Sequence, residues 1–296
     1  MMTTLMPDNS AEKSMPNLVF LHTDQWQKSY GDLPHFQTFF SRLHSIRYCH
    51  AEAFHHCIFG TLRIPQKSEH RQPKHSFGFY MTDTTLFIID DTDELKKQIH
   101  KNTDLFQDCT SPDQLLLLLI EQFIENDIPY LLHFETEIEE METTLVSGIS
   151  EDFFAKLTKY RQKFTELNAY YEQLTAFGDL IQTCGATPLV ADAASWNRLT
   201  QRTERLQNHV RLLQENTLQL RELYQSIQDA WQNKVMCILT VVTTLLLPLT
   251  LLTGWYGMNF VNMPELHWKY GYLAVAIVAG LIILLEIIYF KKKKFF

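Results

Sequence analysis

Two uncharged segments near the carboxyl end constrain this chain more than any other feature. Val235 to Trp255 lies in a stretch with no charged side chain before Glu265, and Tyr270 to Phe290 carries only Glu286. Each can cross roughly 30 Å of hydrocarbon as a helix. Trp255, Tyr256, Trp268 and Tyr270 border the intervening loop with rings that favour a headgroup boundary. The pattern predicts a helical hairpin in lipid.

Positive charge sets the expected orientation. Lys234 precedes the first span and Lys291, Lys292, Lys293 and Lys294 follow the second, whereas the loop holds one lysine and one glutamate. Both termini are therefore expected in the cytoplasm. The amino end shows no basic stretch leading into an apolar core and a cleavage site, so no signal peptide is expected and the first 234 residues stay inside. Of 26 Lys+Arg and 34 Asp+Glu, 5 and 2 follow residue 234, leaving 21 and 32, a net charge of −11 before the membrane. That balance argues against nucleic acid as a partner and suits divalent cations. Cys49, Cys57, Cys109, Cys184 and Cys237 read as reduced thiols, since an odd number so dispersed gives no disulfide framework.

Residues 1–111 hold apolar runs at Leu18–Leu21, His56–Leu62, Phe77–Met81 and Thr85–Ile89, separated by Pro, Gly, Asp and Ser. These are expected strands of a small α/β domain. Ser111-Pro112-Asp113 is a helix-capping signal, and helical patterns follow from Gln114 to Leu145 and Glu151 to Thr183, a hairpin over 112–194. The next pattern, Ser195 to Gly254, would extend roughly 90 Å. It reads as a stalk (195–234) continuing into a first membrane helix (235–259), followed by an external loop (260–269), a second membrane helix (270–290) and a basic tail (291–296). The stalk repeats Leu199, Leu206, Leu213, Leu220 and Ile227 at sevens, interleaved with Trp196, Thr203, Val210, Thr217, Tyr224 and Trp231. Such a seam seeks another helix, either in its own chain or in another subunit.

Within the first span, Asn233, Met236, Thr240, Thr243, Leu247, Thr250 and Gly254 recur at threes and fours and so share one helical face. They can line a pore or pack against neighbouring helices, with threonines bonding their own backbone. The stripe is one position out of register with the leucine seam, about 100° around the helix, so the leucines are expected to face outer helices. Two spans cannot enclose a path for ions, so conduction needs several copies around an axis. Asn259 would then place a ring of amide oxygens at the mouth, suited to Mg²⁺ bound through its waters. Gly257 would permit a tight helix end, and Pro248 a bend or a freed carbonyl.

The segments Leu247-Pro248-Leu249-Thr250, Gly254-Trp255-Tyr256-Gly257-Met258-Asn259-Phe260, Met263-Pro264-Glu265-Leu266, Lys269-Tyr270-Gly271-Tyr272 and Tyr289-Phe290-Lys291-Lys292-Lys293-Lys294 resemble the CorA-type magnesium transporters. Looser similarity runs through Arg47-Tyr48, Leu62-Arg63-Ile64-Pro65, Phe87-Ile88-Ile89-Asp90 and the acidic helix from Gln114. The resemblance implies an α+β membrane protein: a homopentameric funnel in the inner membrane, with a cytosolic α/β domain and a long stalk helix entering the bilayer. It implies Mg²⁺ influx, with Co²⁺ or Ni²⁺ as other cargo, a Gly257-Met258-Asn259 filter, and Asn233, Met236, Thr240, Leu247 and Thr250 as lining. Pro264 and Glu265 fall in the external loop motif, and Lys291, Lys292, Lys293 and Lys294 become a basic collar near the inner mouth. Regulatory Mg²⁺ between subunits is implied as well, with Asp90, Asp91 and Asp93 as candidate ligands and Glu204 as their partner. Residues 22–45 lack a counterpart in the family.

Glu286 stands where an aliphatic residue is usual, five residues from Lys291, which predicts pairing with the lysine tail at the interface. Cys49, His50, His55, His56 and Cys57 sit on an expected strand, where alternation would split His55 and Cys57 from His56. They read as ordinary strand residues or a metal-sensing site. No nucleophile–base pair, phosphate-cradling glycine loop or set of spaced zinc ligands emerges, so neither an enzyme nor an organic cofactor is expected. A zinc transporter of the same architecture and a non-conducting coiled-coil scaffold are the competing readings.

Overall fold

A computed structural model describes residues 17–67, 75–101, 103–147, 152–185, 188–258, 263 and 268–292. They form two units, residues 1–220 and 221–296. The first contains strands β1 (Asn17–Leu21), β2 (His50–Ala53), β3 (Ile58–Ile64), β4 (His75–Met81) and β5 (Thr85–Ile89). Its helices are α1 (Thr23–Ser29), α2 (Phe36–Leu43), α3 (Glu94–Lys101), α4 (Thr103–Phe106), α5 (Pro112–Ile124), α6 (Asp127–Ser147), α7 (Phe153–Thr183) and the first part of α8 (Ala193–Tyr256). The remainder of α8 and α9 (Gly271–Lys292) make the second unit.

The sheet runs β1-β5-β4-β3-β2, with β1 parallel to β5 and every other pair antiparallel. Helices cover both faces, which is why β4 and β5 read as unbroken apolar runs rather than alternating ones. Along β4, Phe77 and Phe79 meet Phe123 of α5 and Phe177 of α7. Tyr80 turns the other way, onto Trp26 of α1 and Phe39 of α2. Gly78 shares that second face because a Cβ there would collide with Leu43. Residues 22–45 thus supply α1 and α2, whose Trp26, Phe36 and Phe39 close an aromatic core over Phe59, Tyr80 and Phe87.

Helices α6, α7 and α8 pack through matching apolar rows. Phe134 of α6 meets Tyr160 and Phe164 of α7, Phe177 of α7 meets Trp196 of α8, and the Thr175 and Thr203 hydroxyls lie 2.9 Å apart. Trp196, Leu199, Thr203, Leu206, Val210, Leu213, Thr217 and Leu220 are all buried within the single chain. Up to Leu220, then, the seam is satisfied by the chain's own helices.

Two boundaries differ from expectation. The helix from Gln114 is broken at Glu125-Asn126, because Pro129 cannot donate to the Glu125 carbonyl. Arg202 donates to the carbonyls of Ile124 and Glu125 there. Lys67 donates to the Phe123 carbonyl at 2.6 Å and to both oxygens of buried Asp127, which also accepts from Tyr171. Burial pulls the Lys67 ammonium below its ordinary pKa, against the stabilising charge of Asp127. The second difference is β2, which pairs with β3 through a turn closed by Phe54 N–H to the Cys57 carbonyl. His55 and His56 sit in that turn rather than on a strand.

Candidate ion pathway

Helix α8 continues unbroken through Pro248 to Tyr256, and both α8 and α9 are long and apolar enough to cross a membrane. On α8 the less exposed positions include Cys237, Val241, Leu245, Pro248, Leu252 and Tyr256, a row at threes and fours. On α9 the corresponding row is Gly271, Val275, Ala279, Ile282, Glu286 and Phe290. Val241 and Phe290 are each 5% exposed, and these two helices are the unit's only described helices, so the two rows are the faces they turn to one another.

The stripe lies elsewhere. At 100° per residue its centre falls roughly 140° around α8 from the covered row. Asn233, Met236, Thr240, Thr243, Leu247, Thr250 and Gly254 are all exposed. Packing against α9 is therefore not what the stripe is for. Leu247, Thr250, Leu251, Gly254, Trp255 and Met258 line an open groove of about 440 Å³ on this side, and a Cβ at Gly254 would meet nothing.

The hydroxyls on this helix have a fixed polarity. Thr240 donates to the Met236 carbonyl and Thr250 to the Leu246 carbonyl, each at 2.8 Å, and Thr243 donates to the Leu239 carbonyl. Off the stripe, Thr244 donates to Thr240 and Thr253 to Thr250. A hydroxyl has one donor and two acceptor sites, so once its proton is committed to the backbone it shows only oxygen lone pairs outward. Water bound to a cation points its hydrogens outward and needs acceptors; water around an anion needs donors. The stripe offers the first.

At its carboxyl end the helix tightens. Gly257 N–H donates to the Thr253 carbonyl at 2.9 Å and Met258 N–H to the Trp255 carbonyl at 3.4 Å. A Cβ on Gly257 would stand 2.9 Å from the Thr253 oxygen, so glycine is required by close approach. Met258 is exposed; Asn259, Pro264, Glu265, Lys293 and Lys294 lie outside the described residues.

Glu286 is not aligned with Lys291 on the helix. Positions five apart on a helix are about 140° apart, and side chains lean toward the helix amino end, here away from the lysine tail. Among the described residues it forms no ion pair with Lys291 or Lys292, and its Oε2 is buried without a hydrogen-bond partner. The row facing α8 was the signal for this placement.

The acidic candidates divide. Asp90 is buried and spent on local structure: its Oδ1 accepts from the Thr92 amide and hydroxyl, its Oδ2 from the Leu95 amide. It holds the start of α3. Exposed Asp91 accepts from the Thr23 amide and hydroxyl, at 2.8 Å each. Asp93, at φ 56°, lies 3.4 Å from His22, and Glu204 is exposed on α8. Among the described residues no group of three His, Cys, Asp or Glu side chains is placed to hold a metal. That includes residues 49–57. Buried Cys49 bonds both the amide and the carbonyl of Arg63, and burial pushes its thiol up to about 12.

With this geometry in hand, comparison with known proteins is decisive at the level of family. The family described as CorA-like Mg²⁺ transporter protein matches residues 25–292, so residues 25–45, expected to lack a counterpart, fall within the match. The chain belongs to that family. The cobalt/magnesium transport protein CorA of Thermotoga maritima is 24% identical over 251 residues, covering 82% of this chain and 71% of that protein. The magnesium transport protein CorA of Helicobacter pylori is 46% identical over 74 residues, covering 25% of this chain and 23% of its own length. Among solved structures, the CorA magnesium transporter from Methanocaldococcus jannaschii aligns with a TM-score of 0.77 at 19% identity, covering 97% of this chain and 93% of that one. The cytoplasmic domain of ZntB from Vibrio parahaemolyticus aligns at 0.59 and 10% identity, covering 77% of this chain and 98% of that one, a likeness of fold. The fold is that of a CorA-like protein from the sheet through the two apolar helices, and the family is one of Mg²⁺ transporters.

Proposed function

We propose that several copies of the chain, five by family resemblance, surround an axis with their α8 stripes inward and conduct Mg²⁺ across the inner membrane, both termini being cytoplasmic. The observation that carries this is the exposed face of α8 away from α9, on which the Thr240, Thr243 and Thr250 hydroxyls present only acceptors outward. Asn259, beyond the end of α8, supplies a ring of neutral amide oxygens that selects the ion with its waters in place. Neutral oxygens hold a hydrated divalent ion weakly enough to release it. Inward passage is favoured by about 4.6 kcal/mol for a divalent ion at 100 mV. Co²⁺ is a second cargo, in keeping with the printed name of the Thermotoga relative.

Mg²⁺ uptake by liposomes containing the purified protein tests this reading. Uptake should occur with wild type, fall sharply with Asn259→Ala and be blocked by hexaammine cobalt, which mimics the hydrated ion. Unchanged uptake in Asn259→Ala would end the filter role, and no uptake at all would leave a scaffold. Gating by cytosolic Mg²⁺ would use exposed Asp91 and Asp93 with a carboxylate of another subunit, Asp90 serving only to shape their loop. Mg²⁺ should then protect the protein from protease, and Asp91→Ala with Asp93→Ala should weaken that protection. Superimposable protection curves would remove both acids from the gate.

A further inference from the structure

One group of exposed side chains at the end of the membrane hairpin has no part in the stripe. Trp231 and Lys234 stand on α8, Lys291 and Lys292 on the last turn of α9, and all four are exposed, Trp231 by 63%. They share a depth. Lys234 to Tyr256 on α8 and the 22 residues of α9 differ by one residue, about 33–35 Å of helix each, so a hairpin that crosses and returns brings the four groups to a similar level.

All four lie off the stripe, Lys234 and Trp231 on the part of α8 turned toward α9 and Lys291 and Lys292 on the part of α9 turned away from α8. Trp231 and Lys234 lie roughly 150° around α8 from the centre of the stripe. Lys291 and Lys292 lie about 140° and 120° to either side of Glu286, which faces α8, so both point away from that helix. The order across the hairpin is stripe, α8, α9, lysines. If the stripes face the axis as proposed, Lys291 and Lys292 would stand on the outer side of the collar expected at the pore mouth.

We propose that Trp231, Lys234, Lys291 and Lys292 form a site for the headgroup phosphates of anionic phospholipids. Charge complementarity and depth select this occupant. Ammonium groups on long apolar stems reach the level where lipid phosphates lie, while the stems stay along hydrocarbon. The indole ring settles at the same boundary. The free carbonyls ending α9 hold positive charge at its last turn. Each lysine near an anionic surface contributes about a fivefold gain in binding, weakened by salt within a Debye length. The inference rests on the hairpin lying in lipid and not on conduction, and its readout is independent of uptake.

The test is thermal stability of the full-length protein in neutral detergent, titrated with short-chain phosphatidylglycerol or phosphatidylcholine. Phosphatidylglycerol should raise the midpoint at concentrations where phosphatidylcholine does not, and added salt should reduce the effect. Lys291→Gln with Lys292→Gln should weaken the apparent affinity roughly 25-fold, and Lys291→Arg with Lys292→Arg should preserve it. Equal stabilisation by both lipids, or an unchanged response in the double glutamine variant, overturns the site. Stabilisation by inorganic phosphate alone marks a free-anion site and overturns the lipid assignment. If the glutamine variant does not fold, the lipid contrast and salt dependence in wild type still decide.

Discussion

Thr250 illustrates how a single side chain can carry a functional argument when its proton is accounted for. Its hydroxyl donates to the Leu246 carbonyl, as Thr244 and Thr253 off the stripe donate to theirs, and it therefore turns lone pairs outward from the stripe. Thr250→Val keeps the shape and removes the acceptor, so we expect Mg²⁺ uptake to slow about fivefold for a loss of about 1 kcal/mol, with little change in thermal stability. Glu286 makes the opposite case. A carboxylate oxygen buried without a partner among the described residues is a cost, and Glu286→Leu should stabilise the protein by about 1–3 kcal/mol in a denaturation assay. Loss of stability in that variant would show that Glu286 has a partner in the assembly. Cys49, with its thiol pushed up to about 12, should resist alkylation at neutral pH until the protein unfolds. Rapid labelling of Cys49 in the native state would contradict its burial.

At the scale of elements, the pieces with strong periodicity were legible and the pieces defined by their neighbours were not. The four apolar runs are β1, β3, β4 and β5, and the seven-residue repeat is the buried row of α8. β2 reads His-Ala-Glu-Ala, with no bulky or branched side chain, and becomes a strand only because β3 offers a ladder. The α5–α6 break was signalled by Pro129 but is fixed by distant cations, Arg202 and Lys67. Removing one partner of that buried pair is costly, so Lys67→Met should destabilise by about 3–5 kcal/mol. Replacing both, Lys67→Met with Asp127→Leu, should recover most of the loss. Leu206→Ala, in the α7–α8 seam, should cost about 2–5 kcal/mol by leaving a cavity. A change within about ±0.5 kcal/mol would place that leucine on a free surface.

For the whole molecule, membrane crossing and family could be read from the spans and the residues around Gly257, because lipid leaves a chain few options for satisfying its backbone. Which face of α8 meets α9 could not, since every position in the span is apolar or small and only burial separates the rows. The separation of those rows is what makes the account testable with a single reagent. On a Cys237→Ser background, cysteine is introduced at Thr250 or at Val241 and the protein is reconstituted in liposomes. A charged, water-soluble thiol reagent is then added during Mg²⁺ uptake. The account predicts that Thr250→Cys is modified and uptake stops, while Val241→Cys is untouched and uptake continues. Modification of Val241→Cys with Thr250→Cys protected would place the water on the other side of the helix and contradict it.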